Sequence, residues 1–239
     1  MDKIIEVRIK KRARDFLKKQ VTRLGEKRDF SQMKLNPFFL AIMKNQLNIE
    51  TQEKLAKSLI FEGIVKGLTG VFGMELQKIT KEFSDGEPNP GFHLKLNKKN
   101  KVYNIIVVSG PSQNSTKVAD IHARMVKSKK DYPRTTPILG ICYGNEDSLN
   151  TFFLKSGLKG EKIIIGRKFW EFISGDKNCR DKILEIIEGE ALKFSKSDDN
   201  DTIYDTLTKT SEDMAEYLRD TYGNDPKKFW KNFFRDIYI

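Results

Sequence analysis

Over residues 3–27, Ile5, Ile9, Phe16, Leu17, Val21 and Leu24 recur at roughly helical spacing while basic side chains fill the other faces, which predicts an amphipathic helix. Leu35-Asn36-Pro37-Phe38-Phe39 follows, and proline at a first helical position behind Asn36 predicts a short apolar helix reaching about Lys44. Thr51 to Phe83 is a long helical stretch with a bend or break expected at Gly67, Gly70 and Gly73. The period then changes. After the loop-forming SDGEPNPG at residues 84–91, Phe92 to Leu96 and Tyr103 to Val108 read as strands of a hairpin turned by NKKNK. Ser115 to Lys130 returns to helical spacing. Pro137 to Gly144 is a strand apolar enough to be buried on both faces, and Lys162 to Gly166 is a fourth strand. Helices are expected at Lys168 to Ile173 and Arg180 to Phe194. Beyond the polar break SKSDDND at residues 195–201 the chain reads as helical to its end, with a last helix opened by Asp225-Pro226. Helices, then strands mixed with helices, then helices again predict an α/β protein: a central mixed sheet flanked by helices, with helical N- and C-terminal arms.

Composition narrows the class. The chain has 239 residues, enough to bury a sizeable core, and 38% are hydrophobic against 32% charged, which excludes wholesale disorder. No apolar run approaches the roughly 20 residues of a membrane span and no signal-peptide core precedes the first helix, so a soluble, cytoplasmic protein is expected. Cys142 and Cys179 stand far apart in unrelated contexts, which argues neither a disulfide framework nor a zinc site. Lys and Arg number 44 against 33 Asp and Glu, a net charge of +11, and residues 1–30 alone hold eleven basic and five acidic side chains. A concentrated positive excess points to a polyanionic partner.

The segment richest in chemistry is VYNIIVVSGPSQNSTK, residues 102–117, an apolar strand running into hydroxyls, amides and a lysine. It is not a mononucleotide loop, since no Gly-Lys pair follows Gly110, and no HExxH, GxSxG or paired zinc-ligand motif occurs elsewhere. Ser109, Ser112, Gln113, Asn114 and Ser115 suit phosphates or base edges, Gln and Asn matching adenine in the major groove; as plain structure the same loop is a turn with Ser115 as helix cap. Lys117 and Arg124 on the following helix suit phosphate contacts or a solvated face. Phe169-Trp170 and Phe229-Trp230-Phe233-Phe234 at helical spacing read as core rather than as base-stacking platforms.

Taken together, Asn36-Pro37-Phe38, the helix ending FGMELQKI, GFHLKL, VVSGPSQNS, ILGICYGN and IIIGRKFWEFISG resemble, in order and over roughly residues 35–190, type II restriction endonucleases of the PD-(D/E)xK superfamily. The basic helix, the stretch that carries the resemblance and the polar break together divide the chain into a basic N-terminal helix at 1–34, an endonuclease-like core at 35–194 and a helical C-terminal extension at 195–239 expected to pack on the core. The resemblance implies a homodimer that hydrolyses phosphodiester bonds at a specific double-stranded DNA sequence with Mg²⁺, and a role near the DNA for Asn145. Members place an acidic residue on one strand and an acidic residue plus lysine, one apart, on the next. Carried over, the lysine position falls on Val108, the aspartate position on His93 and a helix-borne glutamate on Gln77, with Glu75 close by. One reading is a relocated centre: Glu75, Glu87 and His93 as metal ligands, with His93, Glu75, Glu87 and Lys117 catalytic, and Asp85 or Lys95 as further members. The other is a catalytically inactive DNA-binding protein that keeps the nuclease fold.

Overall fold

The computed structural model describes residues 1–26, 29–32, 35–156, 158, 163–197 and 201–237. Lys27, Arg28 and Lys162, and residues 198–200 of the polar break, lie outside them. In order, the elements are α1 (Lys3–Gly25), α2 (Pro37–Gln46), α3 (Gln52–Lys81), β1 (Leu94–Lys98), β2 (Lys101–Val108), α4 (Ser115–Asp131), β3 (Thr135–Ile141), α5 (Thr151–Lys155), β4 (Ile163–Ile165), α6 (Arg167–Ser174), α7 (Cys179–Ser195), α8 (Ile203–Tyr222) and α9 (Pro226–Ile237). The expected mixed sheet is present, in the order β1-β2-β3-β4, with β1 antiparallel to β2 and the other two pairs parallel. Two compact units result: Met1–Phe16 with Gly70–Leu192, and Leu17–Thr69 with Lys193–Ile239.

The first unit holds the sheet. Lys99 and Asn100 turn the hairpin with φ of 48° and 60°, so Lys98 pairs with Lys101 across a two-residue turn of the type that matches strand twist. That register sorts the faces. Leu94, Leu96, Ile105 and Val107 pack with Ile9, Ile79, Phe169, Trp170, Ile173 and Ile183 on one side. Ile106, Val108, Leu139 and Ile141 pack with Val118, Ile121 and Met125 of α4 and Phe153 of α5 on the other. Both faces of β2 are therefore covered, as a continuous apolar run requires.

The second unit is helical. Leu40 and Met43 of α2, Leu55, Ile60 and Ile64 of α3, Leu207, Met214 and Leu218 of α8, and Phe229, Trp230 and Phe233 of α9 share one core. The Asn36 side chain accepts from Phe38 and Phe39 N–H behind Pro37, as the sequence predicts. The two aromatic runs are core residues, with Phe169, Trp170, Phe229, Trp230 and Phe233 all buried. One expectation is corrected: α3 runs unbroken through Gly67, Gly70 and Gly73. Glycine adopts helical angles at a cost of roughly 1 kcal/mol relative to alanine, which neighbouring turns absorb without a break. Among the described residues no helix is long and apolar enough to cross a membrane.

Candidate functional site

The carboxyl ends of β2, β3 and β4 are held together by glycines. A Cβ on Gly110 would lie 2.3 Å from the Tyr143 hydroxyl, one on Gly144 2.6 Å from Ser148 Oγ, and one on Gly166 2.2 Å from the Gly144 carbonyl oxygen. Gly73 of α3 likewise abuts Ser109, whose Oγ lies 2.8 Å from the place a Cβ would take. In open α/β sheets ligands settle outside the carboxyl ends of the strands, which makes this end the candidate site. Tyr143 stands over Gly110 and stays half exposed. Nothing local in the sequence marks Tyr143 as a ring that covers a glycine beyond the end of another strand.

The loop residues divide. Ser112, Asn114 and Ser115 are exposed, while Gln113 is turned inward, its Nε2 donating to the Gly110 carbonyl and its own carbonyl accepting from Asn150 Nδ2. The helix cap is Asn114, not Ser115: Asn114 Oδ1 accepts from Lys117 N–H at 2.8 Å. Asparagine caps as well as serine, and starting α4 at Ser115 leaves that hydroxyl in the first turn. Asn145 is exposed but forms a capping box with Ser148, its Oδ1 accepting from Ser148 N–H.

The residues considered for a metal centre do not converge. Glu75 is nearly buried and sits between Arg12, at 3.5 Å, and Lys78, at 2.9 Å. Glu82 takes Arg8 and Arg12, and Glu190 takes Arg14, so much of the positive charge of α1 answers carboxylates of its own unit. Glu87 is exposed on the loop before β1. Asp85 is tied to the hairpin, its Oδ2 accepting from Asn97 N–H at 2.6 Å. Gly73, Gln77 and Lys81 recur every fourth residue of α3, so the helical face that meets Ser109 carries a neutral amide and a cation. Val108 is 1% exposed and Ile106, two residues earlier on the same face, is fully buried.

His93 supplies the sharpest chemistry. Its backbone N–H joins the hairpin at Ile105, and its Nδ1 accepts from Val107 N–H at 2.7 Å. Burial first, then the charges of Lys81, Arg124 and Lys117, push its pKa down from the usual 6.5 to about 4. A neutral imidazole has one donor and one acceptor nitrogen; with Nδ1 accepting, the proton is on Nε2. That nitrogen has no lone pair for a metal. Mg²⁺ takes oxygen ligands, normally including carboxylates. Ile106 and Val108 offer no donor, Glu75 is engaged by two cations, and among the described residues no three His, Cys, Asp or Glu side chains group as a metal site. The residues at the strand end do not fit the ion.

The same histidine predicts a pH dependence. The unfolded chain takes up a proton on it near 6.5 and the native chain only near 4, so the unfolded state binds more protons between those values and stability falls as pH falls through that window. Urea midpoints at pH 7 and pH 5 are expected to differ less in His93→Asn than in the wild type. Equal differences in the two proteins would show that His93 is not held neutral.

The two cysteines are buried and unbridged, and burial pushes Cys142 up to about 12, which leaves it inert at neutral pH. Among known proteins, residues 3–195 match the family model described as type II restriction endonuclease EcoO109I. No curated protein matches the chain.

Proposed function

The chain belongs to the EcoO109I family of type II restriction endonucleases, and from that premise we propose that it binds double-stranded DNA at the carboxyl ends of β2 and β3 without the strand-borne metal hydrolysis of a nuclease. Family membership supports DNA as the substrate class and sequence-specific cleavage as the general activity of the group. The observation that carries the narrower reading is Val108, which stands where the resemblance implies a lysine and is sealed under α4 together with Ile106 on the same strand face. The net charge of +11 supports a polyanionic partner. Ser112, Asn114, Asn145 and Tyr143, exposed at the same end of the sheet, are the groups proposed to face the duplex.

The proposal includes a homodimer, since a two-fold protein matches a palindromic site. Phe38, Phe39 and Ile42 of α2 are 72%, 50% and 59% exposed, and the only charge on that helix, Lys44, lies over the Trp230 ring. A face this apolar and uncharged suits a second copy of the chain rather than phosphate.

The second reading, site-specific hydrolysis with Mg²⁺ by a relocated centre that includes Glu87, is favoured by the family match itself. One experiment separates the two. Incubated with phage DNA and Mg²⁺ or Mn²⁺, the chain is expected to yield no discrete fragments while retarding duplex DNA in a salt-sensitive manner, with two chains per complex by sedimentation. Discrete fragments with either metal would establish the hydrolytic reading, and absence of any duplex binding would overturn both.

A further inference from the structure

The His93 corner has the chemistry of an anion seat. Val107 N–H donates to Nδ1, which leaves the proton on Nε2, and the half-buried imidazole presents that Nε2–H with no hydrogen bond to another described residue. His93 precedes Leu94, and Leu94 pairs with Ile105 on the opposite face, so His93 shares the face of Ile106 and Val108 that α4 covers. Two residues before it, the Gly91 carbonyl accepts from Arg124 Nη1 at 3.2 Å, which fixes the guanidinium beside this strand. Asp120 takes two of the remaining donors through Arg124 Nε and Nη2; a guanidinium has five, so two stay available. Lys117 lies seven residues before Arg124, on the same face of α4, and is exposed. Lys81 is exposed at the end of α3. The charges that act most strongly on His93 are the cations Lys81, Arg124 and Lys117, and the Asp120 carboxylate in this corner is engaged by Arg124.

We propose that this corner holds a phosphodiester oxygen of duplex DNA directly, with His93 Nε2–H as donor and Lys81, Lys117 and Arg124 as the countercharge, and with no divalent cation between protein and phosphate. The inference rests on the DNA-binding reading above and goes beyond it by naming the group bound and the residues that bind it. Phosphate contacts position a protein on DNA whatever the sequence, so a random-sequence duplex is a sufficient probe.

The test is fluorescence anisotropy of the full chain with a labelled random duplex, over a salt series, in EDTA and in Mg²⁺. Wild-type binding is expected to be as tight in EDTA as in Mg²⁺. Lys81→Gln and Lys117→Gln, both at exposed positions, are each expected to reduce the slope of log affinity against log salt by about one. His93→Asp, which places a carboxylate against the phosphate, is expected to weaken binding about tenfold or more, whereas His93→Gln keeps an N–H donor and should bind nearly as the wild type does. Should His93→Asp melt before the assay, the two lysine variants decide. Duplex binding that requires Mg²⁺, or unchanged salt slopes in both lysine variants, would overturn the phosphate seat and leave the DNA-binding reading standing. A wild type that binds no duplex in either buffer would remove that reading itself.

Discussion

Gly166→Ala is expected to destabilise the sheet-bearing unit by about 3–5 kcal/mol, combining the cost of a disallowed backbone conformation with that of overpacking. Gly166 has φ 60° and ψ −130°, a region closed to residues with a Cβ, and the added atom would meet the Gly144 carbonyl oxygen at 2.2 Å. Neither neighbour yields easily. Gly166 N–H donates to the Ile141 carbonyl, its own carbonyl accepts from Phe169 and Trp170 N–H, and Trp170 Nε1 donates to the Cys142 carbonyl at 2.7 Å. Moving the backbone at 166 therefore shifts the start of α6 and the ends of β3 and β4 together. Gly63→Ala is the control, because a Cβ there meets nothing within 4 Å and α3 is regular at that point. It should leave stability unchanged or raise it by about 0.5–1 kcal/mol. Urea unfolding of both variants measures the contrast, and a Gly166→Ala midpoint close to the wild type would mean that the strand ends are looser than this packing requires.

Gly166 also marks where the sequence stops being legible. The hairpin was readable because Lys99 and Asn100 form a short polar turn between two apolar runs, and α2 because Asn36 and Pro37 together specify a helix start. Those signals are local. The contacts at Gly73, Gly110, Gly144 and Gly166 join residues distant in the chain, and a glycine that leaves room for Tyr143 or for a carbonyl looks in sequence like one that merely bends a loop. The basic helix misleads for the same reason. Arg8, Arg12 and Arg14 look like a surface for phosphate until Glu75 of α3, Glu82 of the turn after it and Glu190 of α7 meet them. In the candidate site, the hydrogen bond from Val107 N–H to His93 decides which imidazole nitrogen is free, and it links residues 14 apart. Position alone makes His93 look equally suited to a metal or to a base; the tautomer restricts it to donating.

Ile106→Glu with Val108→Lys, which writes an acidic residue and a lysine onto β2, is expected to unfold the protein rather than to create cleavage. Both side chains lie among Val118, Ile121, Met125, Leu139 and Ile141, at 0% and 1% exposure. An ammonium or carboxylate left unpaired in such a setting costs about 3–5 kcal/mol, and two of them approach the whole stability of an ordinary domain. The two new charges stand on one strand face, but satisfying each other still leaves their remaining hydrogen-bonding capacity facing aliphatic carbon. Ile106→Val removes one methylene without a charge and should cost only about 0.5–1.5 kcal/mol, which separates burial of charge from disturbance of packing. Circular dichroism and urea titration of the three proteins give the comparison, with Mg²⁺-dependent cleavage of phage DNA assayed on any that fold. A double variant that is as stable as the wild type would mean that α4 can lift from the strand and admit water at these positions. If it then cut DNA, two side chains alone would separate this strand from a metal-binding one; the sealed packing of Ile106 and Val108 instead makes their identity a property of the core, coupled to the seat of α4 on the sheet.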